Sequence, residues 1–186
     1  MAQKENQRIA LTKKLLQEGL LNLLEEKSLD KISVTELCRE SGINRATFYN
    51  HYSSPQELLT SIEAKVRQDL EAIIGCPRTA DEIVQQTEGV CAYFHDNART
   101  ILILHNCYAD RAIHDVLYTI NQNFHLYHLN TRYTHTMDSD SLNLVSVFFY
   151  TGCYNILLEW IKHNIPKTPK EIAELMVRLA TENFLE

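Results

Sequence analysis

The chain has 186 residues, 45% of them apolar and 23% charged, with a net charge of −6. That balance is ordinary for a soluble globular protein, with enough length for a sizeable core in one large domain or two small ones. Five glycines and four prolines are too few for a turn-rich β fold and point to long helices.

The opening residues M-A-Q-K-E-N-Q-R lack the apolar core of a signal peptide, so a cytoplasmic location is expected. The five cysteines, at positions 38, 76, 91, 107 and 153, are odd in number and scattered without a Cys-x-x-Cys pair. Reduced, mostly buried thiols are expected, not disulfides or a zinc site. A first helix is predicted from about Asn6 to Glu26, with Ile9, Leu16, Leu20, Leu23 and Leu24 on its inner side. Lys4, Arg8, Lys13 and Lys14 cluster near its start, either as a solvated face or within reach of a nucleic-acid backbone. Lys27 to Lys31 is a polar connector.

The stretch from Ile32 to Leu58 is the most informative. Ser33 stands three residues before Glu36, the spacing of a capping box at a helix start. Val34, Leu37 and Cys38 give that short helix one apolar face, and Gly42 sits where it must stop. Asn44 is the expected cap of a second helix that carries Arg45, Ala46, Thr47, Tyr49, Asn50 and His51 around a buried Phe48. Two short helices joined by a glycine-containing turn fit a helix-turn-helix whose second helix enters a DNA major groove. By spacing alone they fit an αα-corner inside a bundle equally well.

The string G-I-N-R-A-T-F-Y-N-H-Y, preceded by S-V-T-E-L-C, closely resembles the DNA-binding domain of the TetR family of transcriptional regulators, over about residues 8 to 60. The resemblance implies that Ser33 and Thr35 touch phosphates or bases. It also implies that Arg45, Ala46 and Asn50 face base edges, while Thr47, Tyr49 and His51 grip the backbone. Asn44 and Tyr52 complete the candidate DNA-binding set. Arginine can fork onto guanine and asparagine can pair with adenine, so the chemistry permits each role. One departure is visible: the family commonly has a lysine where Pro55 stands here. Charge is divided to match, with +1 over residues 1 to 54 and −7 over the remainder.

Ser54-Pro55-Gln56-Glu57 opens a third helix of this region, predicted to run to about Ile74 before Gly75-Cys76-Pro77 breaks it. Thr79 to Glu82 caps a further helix through Phe94, with a stop at Asp96-Asn97. Residues 98 to 108 read as a buried helix, because no second strand exists for them to pair with. A helix from Asp110 to about Tyr127, a polar loop to Ser139, and helices from about Asp140 to His163 and Pro169 to Phe184 complete the pattern. The fold class is therefore all-α with about nine helices. Residues 1–54 form the helix-turn-helix domain, and residues 55–186 form a helical effector-binding and dimerisation domain.

Tyr93, Phe94, Tyr108, Tyr118, Phe124, Tyr127 and Tyr150 are candidates to line a ligand cavity, with plain core packing as the alternative. His125, His128 and His135 lack an acidic or thiol ligand at suitable spacing, so no metal site is assigned. Leu142 to Ile161 is apolar enough to raise a membrane span. Asn143, Ser146, Asn155 and Glu159 interrupt it at a cost lipid would not tolerate, and the span is rejected.

Along that segment Thr151, Asn155, Glu159 and Lys162 make one narrow polar line, so most of the circumference needs cover. A homodimer is expected, built on Phe149, Gly152, Cys153, Ile156, Trp160, Leu175 and Leu179. Gly152 would let a facing backbone approach closely. No catalytic or cofactor-binding signature appears. The reading is a ligand-responsive regulator, a repressor by expectation, that binds palindromic double-stranded operator DNA. The competing reading is a helical interaction protein of the same shape, acting through a protein partner with weak DNA binding.

Overall fold

The computed structural model describes residues 2–75, 77, 79–107, 111, 113–119 and 138–181, and among them every regular element is helical. The helices are α1 (Ala2–Glu26), α2 (Val34–Ser41), α3 (Arg45–Tyr49), α4 (Pro55–Ile73), α5 (Ala80–Asp96), α6 (Ala98–Asn106), α7 (residues 113–119), α8 (Ser139–Lys162) and α9 (Pro169–Thr181). A 3-10 turn, Leu29–Lys31, links α1 to α2. The all-α expectation holds, with α1 beginning four residues earlier than its apolar pattern indicated.

The chain forms two compact units. The first comprises Met1–Val66 and Ile103–Asp110, the second Arg67–Leu102 and Arg111–Glu186, so α4 and α6 each contribute to both. In the first unit Leu16 and Leu20 of α1, Leu37 of α2, Phe48 of α3 and Leu58 of α4 are fully buried. Burying one such side chain contributes about 1.5–3 kcal/mol, which is what holds helices as short as α2 and α3 in place. In the second unit α9 packs chiefly on α5, and Leu70, Phe94, Ile101, Ile113 and Leu157 form the core.

Helix starts follow the sequence closely. Ser33 Oγ accepts the Glu36 N–H at 3.2 Å, Ser54 Oγ that of Glu57 at 3.2 Å, and Thr79 Oγ1 that of Glu82 at 3.2 Å. The reciprocal half of a capping box forms at Thr168, whose N–H donates to Glu171 Oε2 at 2.7 Å. At Ser33 and Ser54 the glutamate is drawn to another donor. Glu36 takes the Lys27 amine at 2.6 Å, and Glu57 takes the N–H of Ser53 at 2.7 Å. Gly42 ends α2 at φ 69°, the left-handed conformation that favours glycine.

Among the described residues, α8 is the one helix long and apolar enough to cross a membrane, with 28% of its most apolar window buried. Its polar line is built into the exposed surface. Thr151 Oγ1 donates to Val147 O at 2.6 Å, Asn155 Nδ2 donates to Thr151 O at 2.7 Å, and Glu159 lies 3.1 Å from His163.

Candidate nucleic-acid interface

The turn between α2 and α3 is only Gly42, Ile43 and Asn44. The Ile43 N–H donates back to Cys38 O at 3.1 Å, and Asn44 Oδ1 accepts the Thr47 N–H at 2.8 Å, so both helix ends are satisfied within the turn. Phe48 then fixes the roll of α3. Its ring is fully buried, edge-on to Tyr49 at 5.4 Å and tilted against Tyr52 at 6.2 Å. With Phe48 facing inward, Arg45, Ala46, Tyr49 and Asn50 stand exposed on one face, at i, i+1, i+4 and i+5. Thr47 and His51 flank that face half-buried, and Ser33 and Thr35 are exposed at the start of α2. Tyr52 is placed differently. It is 6% exposed, and its hydroxyl lies 3.4 Å from Ser61 Oγ, within the core of the head.

Three contacts fix α2 against α1. Lys27 pairs with Glu36 at 2.6 Å, Asn22 Nδ2 donates to Glu40 Oε1 at 2.8 Å, and Gly19 lies directly against Ser41. Arg39 also approaches Glu36, at 3.9 Å. These cations hold the Glu36 carboxyl below the ordinary glutamate range, with the Lys27 hydrogen bond as the main cause. Two of the head's cations are thus committed to a carboxylate. The Arg45 guanidinium has no ion-pair partner among the described residues.

At the start of α4, where the resemblance has a lysine, Pro55 is followed by a carboxylate that consumes the local donors. Glu57 accepts from the Ser53 hydroxyl and from its N–H, and these bonds lower its pKa. The backbone amides of Ser53 and Glu57 are therefore already bonded within the protein.

A groove of about 520 Å³ runs between α1 and the end of α3. Glu5, Arg8, Ile9 and Thr12 form one wall, and Thr47, Asn50 and His51 the other. Periodicity identified the residues of α1, but nothing in the sequence shows which of them face α3.

In the second unit the aromatic candidates are partly brought together. Tyr118 and Tyr150 meet edge-on at 5.7 Å, and Phe94 meets Tyr154 at 6.4 Å. His114 connects the two pairs, 6.2 Å from Tyr150 and 4.3 Å from Tyr154. His114 and Tyr154 were not in the candidate set, because neither stands out from its helical pattern. Phe94 is fully buried as a core residue. The Tyr93 hydroxyl donates to Asp69 Oδ2 at 3.3 Å, and burial first, then Asp69, pushes its pKa up. Tyr108, Phe124 and Tyr127, together with His125, His128 and His135, lie outside the described residues.

The candidates for a subunit contact divide by exposure. On α8 Gly152 is exposed, and a Cβ built on it meets nothing within 4 Å. Phe149 and Ile156 of α8 and Leu175 and Leu179 of α9 are half-buried. Leu144 and Phe148 of α8 are each 72% exposed and Val147 45%, an apolar strip the sequence reading left unassigned. Trp160 is 2% exposed. Its indole stacks on His95 at 5.6 Å, and its N–H is shared between the carbonyls of Ile165 and Lys167 at 3.1 Å each. Burial raises the pKa of the Cys153 thiol to about 11 and that of Cys91 to about 12; Cys91 is buried and Cys153 half-buried.

Residues 18–62 match the family described as bacterial regulatory proteins, tetR family, and residues 81–182 match the transcriptional regulator C-terminal region. The uncharacterized HTH-type transcriptional regulator YxbF of Bacillus subtilis is 39% identical over 58 residues, which are 31% of this chain. The chain spans only 15% of that curated relative's length. A TetR transcriptional regulator from Streptococcus agalactiae shares the fold at 18% identity and a TM-score of 0.67, covering 98% of this chain and 100% of its own. The dihydroxyacetone kinase operon activator DhaS does so at 15% identity and a TM-score of 0.56, covering 90% of this chain and 93% of its own. Because the two family matches cover the helix-turn-helix head and most of the remaining chain, the protein belongs to the TetR family of transcriptional regulators.

Proposed function

We propose that this regulator binds a palindromic duplex operator as a homodimer, with residues 1–54 as the DNA-binding domain and residues 55–186 as the effector-binding and dimerisation domain. The observation that carries the reading is the roll of α3. Its buried Phe48 leaves Arg45, Ala46, Tyr49 and Asn50 together on one exposed face. Arg45 and Asn50 read base edges, while Tyr49, Thr47 and His51 hold the sugar-phosphate walls. Asn44 is first of all the cap of α3, and Tyr52 supports Phe48 from within the core.

Dimerisation follows from α8. The exposed Leu144, Val147 and Phe148 continue through Gly152 as a strip that a second copy covers, with Phe149, Ile156, Leu175 and Leu179 at its margins. Trp160 braces this helix from inside, and Cys153 lies half-buried beside Gly152. Two recognition helices one DNA turn apart, about 34–36 Å, then read the two half-sites.

The effector is a small molecule held among aromatic side chains of the second unit, where His114 joins Tyr118, Tyr150 and Tyr154. Helix α4, which contributes to both units, transmits its presence. The ligand controls DNA binding only through its differential affinity for the two settings of the heads. The sign of regulation is repression, although an operon activator shares the fold. Selection of duplexes from a random-sequence pool, followed by titration at increasing salt, tests the core of the proposal. A selected duplex that binds more tightly than random DNA, with steep salt dependence, supports it, and absence of both refutes it.

A further inference from the structure

We propose that the groove between α1 and α3 seats the sugar-phosphate strand bordering the major groove, and that Arg8 is a phosphate-binding residue whose grip is weakened by Glu5 beside it. This rests on the reading of α3 as the recognition helix. A helix is about 10–12 Å across and the major groove about 12 Å wide, so the flanks of an inserted helix meet the phosphate walls. Thr47, Asn50 and His51 form the flank of α3 that faces α1, and the space between them is the 520 Å³ groove.

The groups in that space suit a phosphodiester. Arg8 is exposed, and its guanidinium has no ion-pair partner among the described residues. The Thr47 N–H is bonded to Asn44, while its hydroxyl makes no hydrogen bond among the described residues and can donate to an acceptor from outside. Thr12 donates its own proton to Arg8 O at 3.0 Å, so it offers an acceptor and no donor. Among the described lining residues Arg8 is the one lysine or arginine, and its planar fork suits a phosphate. Glu5 faces the same space from one helical turn away and repels the strand that Arg8 attracts.

The test is titration of a fluorescently labelled random-sequence duplex over a range of salt concentrations, with wild type, Arg8→Ala, Arg8→Lys, Glu5→Gln and, as the control on α3, Tyr49→Ala. Both sites are exposed on α1, and circular dichroism checks that the helices persist. The expected result is that Arg8→Ala weakens binding and lowers the slope of log K against log salt by about 0.9, the value of one phosphate contact. Arg8→Lys restores the slope, and Glu5→Gln tightens binding without changing it. An unaltered slope in Arg8→Ala, with Tyr49→Ala still weakened, overturns this contact and leaves the recognition helix standing. A wild type without salt-dependent duplex binding overturns both.

Discussion

Gly19 of α1 and Ser41 of α2 are in backbone contact: a Cβ on Gly19 would stand 3.0 Å from Ser41 Cβ and 3.1 Å from its backbone nitrogen. Two effects oppose each other in Gly19→Ala. Alanine gains about 1 kcal/mol of helix propensity over glycine. The added methyl meets the backbone of α2, not a flexible side-chain end, and overpacking of that kind costs about 1–3 kcal/mol. Ser41 gives little, because its hydroxyl is bonded to Leu37 O at 2.8 Å. The clash therefore wins. Gly19→Ala should lower the urea midpoint by an amount worth about 1 kcal/mol, and a stabilised variant would show that α2 slides freely on α1.

The apolar strip on α8 gives a second prediction. Phe148→Asp places a charge on a side chain that is 72% exposed, so the single chain has little reason to unfold. Sedimentation should find the wild type dimeric at micromolar concentration and the variant a folded monomer with weakened operator binding. A monomeric wild type, or a variant that remains a dimer, would remove this face from the interface.

The Thr168–Glu171 capping box gives α9 a dependence on pH. Glu171 accepts the Thr168 N–H at 2.7 Å and its hydroxyl at 2.9 Å, and these two bonds, the N–H first, hold its pKa below the ordinary value. A carboxyl depressed in the folded state contributes stability above its unfolded pKa of about 4.3 and loses it as the pH falls through the folded value. Thermal unfolding should show Glu171→Gln less stable than wild type at neutral pH, with the gap closing in acid. Thr168→Ala, which also removes the cap oxygen, should cost about 1 kcal/mol at neutral pH. A gap that persists undiminished in acid would assign the loss to something other than the charged box.

The head was legible because its determinants are local. Capping oxygens at Ser33 and Asn44, the positive φ of Gly42 and the buried Phe48 are set within a few residues, and all four stand where the spacing put them. Long-range contacts were not legible. No pattern marks Gly19 as the place where two backbones touch, or Glu36 as a carboxylate claimed by Lys27. Helix α8 hid its inner face for a different reason. With apolar residues on nearly all its circumference, periodicity could not separate the buried Trp160 and Leu157 from the exposed Leu144 and Phe148. Aromatic content alone likewise proposed Phe94 and Tyr93 for a cavity, while His114, which links the ring pairs, carried no signal of its own.

The central claim, that α3 reads DNA with Arg45 on a base and Tyr49 on the backbone, is tested most directly by one titration series. A selected duplex, its single-base variants and a random duplex are titrated with wild type, Arg45→Ala and Tyr49→Ala at fixed salt. Arg45→Ala should lose about 1–3 kcal/mol on the selected duplex and relax preference at one base position. Tyr49→Ala should weaken all duplexes by the same factor. Equal losses on selected and random DNA for both variants would contradict base reading by Arg45, and no loss in either would remove α3 from the DNA interface altogether.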